Sequence, residues 1–425
     1  MIRTLLFSAA LTALALSTAA NAETIAITGA SVWTGTNDAP IEEGVVIIED
    51  NQIAAVGPST LAVPEGATVI DATGQWVTPG IFSAFSRTGL VEVSLEVSTN
   101  DTAAEMTVYS TSLDALDGFN PSATTVPVTR LQGVTRIAVA PSAINSPFAG
   151  QGLIADTSGA EDSVTTPQAF QFIVLGEGGA AVSGGSRPGA WAKLRAAFDD
   201  ANTFTRRYLT TSEGGALNRA DAEALIPAVE GDQLMLIQVH RASDIRRVID
   251  LKSENPDFNI AIVGATEGWL VADELAAVDI PVIIEPYDNL PARFETLGAT
   301  GRNAARLIEA GVRTAFAHLD SDSHQARLVL QSAGNAVSQG VSPADAMEAI
   351  TARPAEIFDL EGYGRLASGA VADVVIWDGD PLEVTSAPTA VYIAGEAQPM
   401  ESRQTKLRDR YLSLEENELP FAYRK

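Results

Sequence analysis

The sequence predicts an α/β fold, with parallel strands joined by helical crossovers and a smaller all-β unit beside them. Three observations carry this. From Thr135 to Ala317 apolar β runs alternate with loops and helical stretches, the pattern of parallel strands with crossovers. Short β-rich runs crowd the chain before Asp71 and return after Ala372. The length, 425 residues, accommodates a barrel of about 250 residues with a second domain. Glycine at 34, proline at 21 and 46% hydrophobic residues are ordinary for such a chain and leave no long low-complexity tract.

In chain order, Met1 to Ala22 holds one basic residue, Arg3, an apolar run from Leu5 to about Leu16, and Ala20-Asn21-Ala22, which fits the small-x-small rule for signal peptidase. The run falls short of the roughly 20 apolar residues a membrane span needs, so a cleaved export signal and a bacterial periplasmic location are expected. The chain has no cysteine, which excludes disulfides, thiol chemistry and thiolate metal sites. Its 54 acidic against 27 basic residues disfavour nucleic acid and anionic lipid as partners and leave a cationic partner open.

From Glu23 the runs Thr24–Thr28, Ala30–Trp33, Gly44–Ile48, Gln52–Val56 and Ala67–Asp71 are punctuated by turns such as Glu49-Asp50-Asn51, which suits hairpins of a small sandwich. The central strands are expected at Thr135–Ala140, Phe170–Leu175, Gln233–Val239, Asn259–Val263, Pro281–Glu285 and Thr314–Ala317. Helices are expected at Val271–Val278, Arg302–Ala310 and Ala326–Gln339. Another helix start is marked by Ser342-Pro343-Ala344-Asp345, where serine caps, proline suits the first turn and the carboxylate faces the positive helix end. The β texture returns in Ala372–Trp377 and Ala390–Gly395, and a charged segment, Glu401–Lys425, closes the chain.

The stretch Gln75–Leu90 resembles the first barrel strand of the amidohydrolase superfamily, which reads approximately P-G-(L/I)-I-D-A-H-x-H-x-G-L. Pro79, Gly80, Gly89 and Leu90 keep the pattern, while Phe85 and Arg87 stand at the two histidines that hold a catalytic metal in the family. Gly364–Asp373 and Trp377-Asp-Gly-Asp-Pro381 resemble a second family signature. The imidazolonepropionase-like subgroup is suggested by Asp117–Pro121, Gly133–Thr135, Ala140–Ser142, Gly150–Gly152, Leu175–Glu177 and Arg187 in order. The resemblance implies a (β/α)8 TIM-like barrel at 79–363 and a β-sandwich formed by 23–78 and 364–400, after a signal at 1–22 and before a C-terminal segment at 401–425.

Metal-dependent amide hydrolysis needs imidazoles and carboxylates converging on divalent ions that acidify a bound water. By the resemblance, Phe172 stands where many members carry a bridging lysine, and Gly264, in Val263–Leu275, stands at the sixth-strand histidine. In Gln238-Val-His-Arg-Ala242 the register puts Gln238 at the ligand histidine and His240 at the second; a shift of two makes His240 a ligand, and a hydrogen-bonded structural histidine is the third reading. His318-Leu-Asp320-Ser-Asp322-Ser-His324 resembles H-S-D-S, with Asp320 at the family's ligand and general base, Asp322 as the fallback, and helix capping as the competing role of both. The candidates are therefore Asp320 as a catalytic group and Glu177, Arg187, His240, His318, His324 and Arg87 as binding groups. Arg87 is expected to point into the emptied cavity and pair with Asp320. Two functions are carried forward. One is a non-catalytic binding or partner subunit without cofactor, paired with an intact homologue or with itself, or holding an unidentified small molecule, and with no membrane contact once the signal is cleaved. The other is a hydrolase of C–N bonds in cyclic amides or small peptides, with zinc or another divalent metal in an atypical site.

Overall fold

The computed structural model of the protein describes residues 24–35, 37–93, 95–319 and 323–412. The expected export signal, Asp320, Asp322 and the chain after residue 412 lie outside them, as does the side chain of His324.

The first β unit contains β1 (Thr24–Val32), β2 (Ile41–Glu49), β3 (Gln52–Gly57), β4 (Thr68–Asp71) and β5 (Trp76–Pro79). The barrel follows with β6 (Ile81–Ser86), β7 (Val134–Val139), β8 (Phe148–Asp156), β9 (Val164–Val174), β10 (Leu234–Val239), β11 (Ile260–Gly264), β12 (Val282–Ile284) and β13 (Thr314–Phe316). The chain then returns with β14 (Val374–Trp377), β15 (Pro388–Ile393) and β16 (Glu396–Ala397).

Strands from both chain ends meet in one sheet, ordered β16-β15-β14-β5-β1-β2-β3 and forked where β4 also pairs with β1. The join is made by β14 lying antiparallel to β5, from Val374 opposite Pro79 to Trp377 opposite Trp76. Trp377 Nε1 donates to Thr78 Oγ1 across it at 2.9 Å. A buried ion pair ties this sheet to the barrel. Arg136 on β7 contacts Asp373 at 2.6 Å, both side chains are at most 5% exposed, and the guanidinium lies over the Tyr363 ring.

The barrel strands are ordered β13-β12-β11-β10-β9-β8-β7-β6, and the end strands β13 and β6 lie against each other, so that the ring is nearly closed. β6, β7, β11, β12 and β13 are buried on both faces, as parallel strands covered by helices must be. One strand departs from the expected all-parallel order. β8 runs antiparallel to both β7 and β9, and its Gly150-Gln-Gly152 belongs to a strand that is not among those expected from the sequence. The connections 140–147 and 157–163 hold no helix, and a parallel return needs about a dozen residues or more, so β8 turns back on its neighbour. Gly152 admits the Phe170 ring, which lies 2.1 Å from where a Cβ would stand.

Phenylalanines fill the barrel. Phe358, which follows the helix Ala352–Ile357, stacks on Phe82 and tilts against Phe170. A register shift in the β6–β7 pairing, between Ser83 and Ser86, sets three steps of β6 against two of β7. Such an extra residue re-aims a side chain. Ala84 and Phe85, neighbours that would otherwise face opposite ways, both join the interior cluster.

Candidate functional site

Side chains at the C-terminal ends of the strands line the barrel mouth, the place where this architecture puts ligands. At β6, Phe85 is 3% exposed and meets Phe172 of β9 edge to face, with centroids 5.2 Å apart and planes at 64°. Such a pair is a favoured aromatic geometry and leaves no polar atom facing the axis between them. Arg87, half-buried, sets its guanidinium carbon 5.5 Å from the Phe85 centroid, within reach of the ring's negative face. Its expected partner Asp320 lies outside the described residues.

At the next rim position β10 ends in Gln238 and Val239, and His240 follows. The imidazole is buried, with Nδ1 2.9 Å from Thr266 Oγ1. Its ring lies against the bare backbone of Gly264: a Cβ there would stand 2.6 Å from His240 Cε1 and 3.0 Å from Nε2. Gly264 has φ +99° and Ala265 φ +39°, two consecutive left-handed residues at the end of β11. Asn303, on the helix Asn303–Glu309, holds this turn by donating to the Ala265 carbonyl at 3.0 Å and accepting from the Trp269 N–H at 3.0 Å.

Glu285, directly after β12, gathers three groups. Its Oε2 accepts from Leu319 N–H at 2.9 Å and lies 2.7 Å from His318 Nδ1, while Oε1 accepts from Ser332 Oγ at 2.9 Å. Gln238, His240, Thr266, Glu285, Asp288, Arg293 and Asn303 surround a cavity of about 20 Å³, room for a single water.

Glu177 and Arg187 gather at a different place. Glu295, 2% exposed, accepts from the Glu177 backbone N–H at 2.6 Å and from Arg187 Nη2 at 3.2 Å. Arg187 Nε also donates to Asp244 at 2.9 Å, and Asp244 accepts two bonds from Arg241 at 2.8 Å. Those bonds raise the Arg241 pKa above its ordinary value. Glu177 opens the helix Glu177–Ala181, and it is its N–H, not its carboxylate, that engages Glu295.

The structure thus sets His240 and Glu285 on one cavity, pairs His318 with Glu285, places Glu177 and Arg187 together at Glu295, and leaves Arg87 beside Phe85. Sequence reasoning missed Glu285, Glu295, Thr266 and Asn303. Glu285 was readable as a carboxylate closing an apolar strand run, the position that barrel sites favour. Phe85, Phe172 and Gly264 offer no donor atom to a metal. Among the described residues no three histidine, aspartate or glutamate side chains come together in a group that could hold a metal ion.

The model of the amidohydrolase family matches residues 296–397. A curated relative, the amidohydrolase tasK of Hapsidospora irregularis, is 25% identical over 403 residues, covering 86% of this chain and 40% of its own length, so the chain spans well under half of that relative. Among solved structures, an amidohydrolase from Thermotoga maritima MSB8 superposes with a TM-score of 0.79 at 25% identity, over 88% of this chain and 99% of that one. A prolidase solved with N-methylphosphonate-L-proline, at 16% identity, a TM-score of 0.55 and cover of 88% and 99%, shares the fold.

Proposed function

We propose that this amidohydrolase-superfamily chain is a non-catalytic member, an exported binding or partner subunit whose barrel mouth is packed where metal hydrolases of the superfamily place their ligands. The observation that carries this reading is the contact between Phe85 and Phe172. By the resemblance those positions belong to a metal-binding histidine and the bridging lysine, and two touching rings exclude both the ions and the water they would activate. The Gly264–His240 packing supports it: a side chain at 264, histidine included, cannot coexist with the imidazole in this pose. The residues present do not fit a two-metal centre. The assignment to the imidazolonepropionase-like subgroup, the periplasmic location from residues 1–22, and pairing with an intact homologue or with itself belong to the same proposal.

The active-hydrolase reading has one observation in its favour, a cavity lined by His240 and by Glu285, whose carboxylate lies 2.7 Å from His318 Nδ1. A C–N hydrolase working there would need a single ion held by those groups. Thermal unfolding with and without zinc or manganese separates the two readings. An ion bound to the native state at a hundredfold above its Kd adds about 2.7 kcal/mol of stability. The non-catalytic reading expects no upward shift in Tm. A shift that vanishes in His240→Ala, while the variant keeps its fold, establishes the alternative.

A further inference from the structure

Between Arg87 and Arg130 the chain carries six carboxylates, Glu92, Glu96, Asp101, Glu105, Asp114 and Asp117, and not one lysine, arginine or histidine. This is the long connection after β6, at the mouth end of the barrel. The same stretch leaves large apolar side chains in water: Leu95 is 95% exposed, Val97 85%, Met106 100% and Val108 81%. Single exposed apolar residues are unremarkable, but here four fall between residues 95 and 108, interleaved in sequence with Glu96, Asp101 and Glu105.

Its base is pinned rather than loose. Asp221 accepts from the N–H groups of Ser110 and Ser112 at 2.9 and 3.0 Å, and Asn218 donates to the Val108 carbonyl. Ser142 N–H donates to the Thr102 carbonyl at 2.7 Å, Asp101 N–H to that of Leu90 at 2.8 Å, and the Asn145 amide to that of Glu105. The polar backbone is satisfied while the apolar side chains are held outside. Among the described residues no basic side chain forms an ion pair with these six carboxylates.

From this charge pattern we infer that the 92–109 surface docks a cationic amphipathic polypeptide segment, one that interleaves lysine or arginine with apolar residues. A second copy of this chain, docked symmetrically, would set the same carboxylates against each other with no intervening base, inside a Debye length of about 8 Å. A basic segment instead places its apolar face on Leu95, Val97 and Met106 and its charges on the flanking Glu92, Glu96 and Glu105. The inference stands apart from whether the barrel holds a metal.

The test is fluorescence anisotropy of a labelled lysine–leucine amphipathic peptide on the whole protein, with a glutamate–leucine peptide as control, across salt concentrations. The lysine peptide should bind and the glutamate peptide should not. Leu95→Ser/Met106→Ser should weaken binding by about tenfold or more, since it removes two buried apolar anchors. Glu92→Gln/Glu96→Gln/Glu105→Gln should weaken binding and flatten its salt dependence, while Leu209→Ser, an exposed apolar residue outside this connection, should leave it unchanged. Met106→Ser alone serves if the double variant does not fold. Equal binding by all variants would show adventitious attraction to an acidic protein and overturn the inference. So would a concentration-dependent dimer in sedimentation that Leu95→Ser/Met106→Ser abolishes, because the surface would then belong to a second copy.

Discussion

Gly264 decides the shape of the barrel mouth at the smallest scale, since its missing side chain is the space His240 occupies. Gly264→Ala forces a Cβ to within 2.6 Å of the ring from a backbone at φ +99°, so it should cost about 1–3 kcal/mol in urea unfolding and disturb the His240 ring signals. Unchanged stability with unchanged signals would refute that packing. Tyr208 gives a pH-dependent test. Burial first, then the nearby Asp200 carboxylate, pushes its phenol up to about 12, and its hydroxyl donates to the Leu217 carbonyl at 2.9 Å. A raised folded pKa means that its contribution is complete below the unfolded value near 10 and is lost as pH climbs toward 12, by about 2–3 kcal/mol in all. Absorbance titration of phenolate should show a late component that is missing in Tyr208→Phe; identical curves for the two proteins would contradict it. At this scale the sequence made His240 and His318 readable, because histidine is rare in the chain and each follows a strand run. The partners of Arg187, Asp244 and Glu295, lie 57 and 108 positions away, and no spacing within one sequence reveals them.

Among the elements, the joint between β7 and the sheet that β14 completes rests on Arg136 and Asp373. Asp373→Ala removes the nearer carboxylate from a buried guanidinium, leaving Asp156 at 3.7 Å, and should cost about 3–5 kcal/mol. Arg136→Met/Asp373→Leu should recover most of that loss, and urea melts of the three proteins would show it. A double variant as unstable as the single would mean that the charge pair is not what holds the joint. The aspartate was legible inside the phrase Gly364–Asp373, though its role as the tie between sheet and barrel was not, since that depends on an arginine 237 positions earlier. Strand runs at Phe170–Leu175 and Gln233–Val239 were legible because they are continuous and apolar. β8 was not: glycines at 150 and 152 look like loop residues, and only the close approach of Phe170 explains them. The resemblance had put Phe85 at an inward histidine position, but the shift in β6 that brings Ala84 to the same cluster was hidden, because strict alternation would face the two in opposite directions.

For the whole molecule, the proposed reading separates architecture from chemistry. A barrel with β strands from both chain ends joined in one sheet is similar in fold to the amidohydrolase from Thermotoga maritima, and a fold hosts chemistry only where its site supplies the groups. Here the interior is aromatic from Phe358 up to Phe85, and the remaining polar cluster around Glu285 encloses room for about one water. The central claim is that the mouth holds no catalytic ion. The most direct measurement is the metal content of protein purified without chelator or affinity tag and then equilibrated with excess zinc or manganese and desalted. The account predicts trace metal, the same in the wild type, His240→Ala and Asp320→Ala. Stoichiometric metal that either substitution removes from a folded protein would contradict it.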